Sequence, residues 1–176
     1  MSRFKHLLDT PILTTTGNTV GIFPFNTLID PKITDVHSGK IEFLESAIDG
    51  LKVLANKNYS VVLFINQFKG RQLSFEHFQS LNQAVENFIQ STGVTINGIY
   101  WCPGVDRNDP FVVPNPGMFN RVTENIGVKW KDIPVISTND ADLTAAVKVK
   151  AAAVKIGKGS SKWTQFDTFL DWVKHL

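Results

Sequence analysis

Only one cysteine, Cys102, occurs in 176 residues, which excludes an internal disulfide and a cysteine-based zinc tetrad. The four histidines, His6, His37, His77 and His175, show no paired spacing for metal or triad chemistry. Net charge is also small: 18 basic against 16 acidic side chains leave +2, far from the basic stripe that a nucleic-acid partner requires. No apolar run approaches the ~20 residues of a membrane span. The amino-terminal stretch MSRFKHLLDTPILTTT lacks the continuous apolar segment of a secretory signal. These absences set the expectation of a soluble, cytoplasmic chain with neither membrane nor nucleic acid among its partners. At this length one domain with one sizeable core suffices.

What is present is organised around GIFPFNTLID, residues 21–30, where a short apolar run stops at Pro24 and gives way to polar residues, as a buried central strand does. VVLFINQ (61–67), INGIYWCPG (96–104) and IPVISTNDAD (133–142) repeat the pattern of strand followed by loop. Between them lie helical periodicities. Leu44, Ile48, Leu51 and Leu54 recur at helical spacing, and Ser74 precedes Phe78, Leu81, Val85, Phe88 and Ile89 on one face, with Gly93 at the C-terminal cap position. Met118, Val122 and Ile126 mark a shorter helix stopped by Gly127, and Asp142 to about Lys148 a further one. Ala151 to Ile156 reads as a strand, and Thr164 with Asp167 as the capping box of a last helix holding Phe166, Phe169, Leu170 and Val173. Strands alternating with helices predict an α/β fold: a Rossmann-like three-layer sandwich with a central, mostly parallel sheet, helices on both faces and no large cap domain. Residues 1–18, with a helical hint at Phe4, Leu7 and Leu8, are expected to form an arm on a single domain spanning 19–176. In such a sheet the working crevice lies beyond the carboxyl ends of the strands, so Phe23 and Phe25 are expected at its mouth, with at least one of the rings packed inward and an open, lining pair as the alternative.

Four segments carry a resemblance to a known family. The block IEFLESAIDGLKVLANKNYSVVLFINQ (41–67), GIYWCPG (98–104), PNPGMF (114–119) and DADLTAA (140–146) resemble, in order, landmarks of the haloacid dehalogenase (HAD) superfamily of phosphatases, most of all its branch of heptose bisphosphate and histidinol phosphatases. The resemblance covers roughly residues 20–156 and implies a HAD-like fold.

The reactive residues do not follow. The resemblance implies an Asp-x-Asp-x-Thr motif after the first strand, whose first Asp attacks phosphorus and whose second acts as acid and base. Those positions hold Phe23 and Phe25, and only Thr27 remains. The phosphate-binding Thr or Ser is Ile65, beside a retained Asn66 and Gln67. The implied Lys is Val113, and the magnesium-holding Gly-Asp is Ser137 and Thr138, leaving Asp142 as the one later carboxylate. A phenyl ring has no lone pair for nucleophilic attack, and one carboxylate is a poor magnesium site. Phosphoryl transfer without nucleophile, cation or metal forfeits nearly all of its electrostatic stabilisation. The losses are mutually consistent, since a lysine left behind without its acidic partners would be an uncompensated charge.

The expectation is therefore a pseudoenzyme: a catalytically inactive phosphatase homologue acting as a binding or structural module, with a protein or small ligand at the former active-site crevice. No tightly bound magnesium, zinc or other cofactor is expected. The alternative is an enzyme acting on a small phosphorylated metabolite, of sugar phosphate or histidinol phosphate type, through a non-standard site built from Asn66, Gln67, Asp142 and the loop cations Lys69 and Arg71, which are candidate residual anion contacts. A third reading, an unrelated chain with a similar α/β pattern, is disfavoured by the ordered landmarks. Plainer roles stand beside these: Cys102 as a strand-end thiol, Asp142 as a helix-start carboxylate near free backbone N–H groups, Phe75, Phe78 and Phe88 as core, and Trp163 and Trp172 as seals of the sheet edge or a contact surface.

Overall fold

The computed structural model describes residues 10–11, 18–30, 41–67 and 73–176. The helical hint at Phe4, Leu7 and Leu8, the histidines His6 and His37, and the loop cations Lys69 and Arg71 lie outside the described residues.

Continuous apolar runs become strands where both faces are covered. In chain order the elements are β1 (Thr10–Pro11), β2 (Thr19–Ile22), α1 (Glu45–Asn56), β3 (Ser60–Asn66), α2 (Phe75–Ser91), β4 (Thr95–Cys102), α3 (Gly117–Ile126), β5 (Pro134–Ser137), α4 (Asp140–Lys148), β6 (Ala152–Ile156), β7 (Thr164–Phe166) and α5 (Phe169–Val173). The strands form one sheet in the order β1-β4-β3-β2-β5-β6-β7. All pairs are parallel except the two-residue β1, which runs antiparallel to β4. Because β3 lies on one side of β2 and β5 on the other, the order reverses at β2, and the crevice expected of such a sheet opens beyond its carboxyl end. Among the described residues no helix is long and apolar enough to cross a membrane.

Strand alternation divides the interior in two. Val61, Leu63 and Ile65 of β3 join a cluster with Leu51 and Leu54 of α1, Phe78 and Val85 of α2, and Phe169 and Trp172 of α5. Val62 and Phe64 join the opposite cluster with Met118, Phe119 and Val122 of α3 and Ala145 and Ala146 of α4. Three helices cover one face and two the other, which is the three-layer sandwich expected. Between β3 and β4 the register shifts after Val61, pairing Ile96 with Val61 and Gly98 with Val62. The skipped residue, Asn97, uses its side chain to donate to Ser60 Oγ at 2.5 Å.

Helix ends follow local chemistry. Ser74 caps α2 by accepting from the His77 N–H at 3.3 Å, and Gly127, at φ 74°, ends α3 with its N–H on the Thr123 carbonyl at 2.9 Å. Two sequence expectations need correction. Thr164 does not cap the last helix: it pairs with Val154 in β7. The capping box is instead Thr168, which accepts from the Asp171 N–H at 3.1 Å and donates to Asp171 Oδ2 at 2.7 Å. Both threonines carry an Asp three residues on, and only pairing with β6 separates them. Phe75 is not core, being 42% exposed, whereas Phe78 is buried and the half-buried Phe88 stacks on Phe43.

Between β4 and α3 the loop is stitched by its own polar groups. Asp106 Oδ1 accepts from the Asn108 N–H at 3.0 Å and Asp109 Oδ1 from the Phe111 N–H at 2.9 Å. Asn115 Nδ2 reaches the carbonyls of Arg107 and Asp109 at 2.8 and 2.9 Å.

Candidate functional site

The site begins where β2 ends. Phe23 N–H still donates to the Ile136 carbonyl of β5 at 3.0 Å, after which the chain leaves the sheet at Pro24. A tight turn follows, with the Leu28 and Ile29 N–H groups both on the Pro24 carbonyl, at 2.8 and 3.1 Å. Asn26 takes the left-handed conformation at φ 63°, one that Asn tolerates better than most residues.

This turn sends the two aromatic residues to opposite sides. Phe23 keeps the alternation of β2 and is 3% exposed, its ring stacked on Phe64 at 5.0 Å and tilted against Phe119 at 6.1 Å. Phe25 is half-buried and packs against the other, mainly aliphatic cluster. Of the two rings expected at the crevice mouth, Phe23 is the one packed into the core. Ile65 is likewise interior, buried on the aliphatic face.

Three polar residues do converge at the strand ends. Asn66, closing β3, donates from Nδ2 to Asp142 Oδ1 at 3.2 Å. Ser137, closing β5, donates from Oγ to Asp142 Oδ2 at 2.7 Å and accepts the Asn139 N–H at 3.0 Å. Asp142 lies in the first turn of α4 but is not its cap. Asn139 is, accepting from the Ala141 N–H at 2.8 Å; Asp142 is thus a helix-start carboxylate as expected, with the Asn66 and Ser137 side chains as its partners in place of the free backbone N–H groups expected. Asp142 is 6% exposed, and burial pushes the pKa of its carboxyl up to about 7 against the lowering by the Ser137 and Asn66 hydrogen bonds. Ser137 was visible in the sequence only as a departure from a motif. No short-range signal ties it to Asn66, 71 residues earlier in the chain.

Other expected site residues are placed elsewhere. Gln67 is turned to its own chain: its amide donates to the Leu73 carbonyl at 3.1 Å and accepts the Leu73 N–H at 2.9 Å, clasping the chain ahead of α2. Val113 is half-buried on the aromatic cluster with Phe111 and Val112. Thr27 is buried, with an Oγ1 that has no hydrogen-bond partner among the described residues, and it lines a cleft of about 590 Å³ together with the half-buried Thr138. Cys102 is a buried strand-end thiol, and Trp172 is buried beside Phe169 rather than displayed as a contact surface. Trp163 donates from Nε1 to Asp140 Oδ1 at 3.0 Å, sharing that oxygen with Lys155 at 2.6 Å. The hydrogen bonds from Lys155 and Trp163 lower the Asp140 pKa. Among the described residues, no group of three His, Cys, Asp or Glu side chains is placed to hold a metal ion.

No family model matches the sequence, and no curated protein matches it. Solved structures do match in fold. A D,D-heptose 1,7-bisphosphate phosphatase from B. bronchiseptica, complexed with magnesium and phosphate, superposes with a TM-score of 0.76 over 90% of this chain and 97% of its own, at 16% identity. The D,D-heptose 1,7-bisphosphate phosphatase from Burkholderia thailandensis gives 0.66 over 90% and 97%, at 13% identity. A HAD-superfamily hydrolase from Ehrlichia chaffeensis gives 0.63 over 90% and 94%, also at 13% identity. At such identities the likeness is one of fold, so the parallel sheet reversing at β2, with helices on both faces, is the haloacid dehalogenase-like fold of these phosphatases.

Proposed function

We propose that this chain is a phosphatase-like pseudoenzyme that works by binding at the crevice beyond β2, without turning over phosphate esters. Phe23 carries the proposal. It stands where the resemblance puts the nucleophilic Asp, and its ring is held in the core by Phe64 and Phe119. No rotation of that side chain supplies a lone pair to phosphorus.

The residues present do not suit magnesium. A divalent ion of that size wants near-octahedral oxygen ligands, including one or two free carboxylates. Asp142 has both oxygens engaged by Asn66 and Ser137, and its burial favours the neutral acid over the anion a metal needs. Val113 offers no charge to a developing phosphoryl anion. Neither magnesium nor zinc therefore belongs to the proposal, and a protein or small molecule is the proposed occupant.

One observation favours the alternative, an enzyme acting on a small phosphorylated metabolite: a carboxyl with a pKa of about 7 is matched to acid–base work at neutral pH. Against it, Asp142 is 6% exposed, and Gln67 is committed to Leu73. The test is an assay of the purified protein with magnesium against a panel of phosphomonoesters, beside a calorimetric magnesium titration. We expect no turnover and no stoichiometric heat. Turnover abolished by Asp142→Ala, or a stoichiometric magnesium signal lost in Asp142→Asn, would overturn the proposal.

A further inference from the structure

We draw no further inference here: the strongest candidate, the cleft of about 590 Å³ between the N-terminal ends of α1 and α5 and the turn that follows β2, offers only the exposed carboxylates of Glu45, Asp49 and Asp167, and nothing among the described residues shows what covers it.

Discussion

The two faces of the sheet are filled by different chemistry. On the face covered by α3 and α4, Phe23, Phe64, Phe119 and Trp130 form one aromatic block, with centroids 5.0 Å apart for Phe23 and Phe64, 4.5 Å for Phe64 and Phe119, and 5.0 Å for Phe119 and Trp130. The face under α1, α2 and α5 is built chiefly from Val, Ile and Leu. Rings are large and rigid, so the aromatic face tolerates little intrusion. A Cβ on Gly21 would come within 3.1 Å of both Phe64 and Trp130, tighter than ordinary van der Waals contact. The aliphatic side is where the cleft lined by Thr27 and Thr138 opens. The strand end at β2 serves two purposes within a few residues: Phe23 closes one face, while Asn26 and Thr27 border the open part of the other.

The strongest way to break this comparison is to place acids on both sides at once. Restoring carboxylates with Phe23→Asp and Phe25→Asp together should not create phosphatase activity, because Val113 and Thr138 still withhold the cation and a metal ligand. It should unfold or severely destabilise the chain, since a charge at position 23 would enter an aromatic interior without a partner. A folded double variant that hydrolyses phosphate esters would contradict both statements, and circular dichroism with an activity assay checks them.

Truncation sharpens the same contrast. Phe23→Ala removes a ring from a packed interior and should cost about 3–5 kcal/mol, the range for buried Phe to Ala. Phe25→Ala removes a half-buried ring and should cost roughly half as much by the same bookkeeping. Denaturant melts of the two variants decide it, and equal losses would mean that the turn does not separate the rings as described.

A pH-dependent effect is expected at Asp142, at the strand ends. Its folded pKa of about 7 lies above its ordinary 3.8, so the folded state holds a proton that the unfolded state has released across that interval. Its contribution to stability is fully present below about pH 4 and is lost as pH rises through about 7. Thermal melts should therefore show a fall in Tm from pH 5 to pH 8 that is shallower in Asp142→Asn. Parallel pH profiles of the two proteins would place the titrating group elsewhere.

The layer order was legible because it depends on short-range patterns: a run such as Val61–Ile65 admits few readings once Gly93 and Gly127 have punctuated the helices around it. The site was less legible, for reasons of distance. Asp142 looks like a helix-start carboxylate when only its neighbours in sequence are seen. Its actual partners, Ser137 and Asn66, lie 5 and 76 residues away, and the second comes alongside only once β3 and β5 flank β2. Phe25 was uncertain for a different reason, since strand alternation has no force beyond Pro24.

The stitched loop between β4 and α3 bears on how the chain meets proteases. Arg107 is exposed, and trypsin cleaves after arginine wherever several residues can be drawn out straight into its active site. Here the Arg107 carbonyl, the bond to be cut, is held by Asn115 Nδ2, and straightening the segment would also detach Asn108 and Phe111 from their aspartates. At Gly117 the chain returns so close to the Pro110 carbonyl that a side chain there would collide with backbone. Exposure alone does not make a cleavage site when the backbone is hydrogen-bonded into a compact turn, so Arg107 should survive a limited digest.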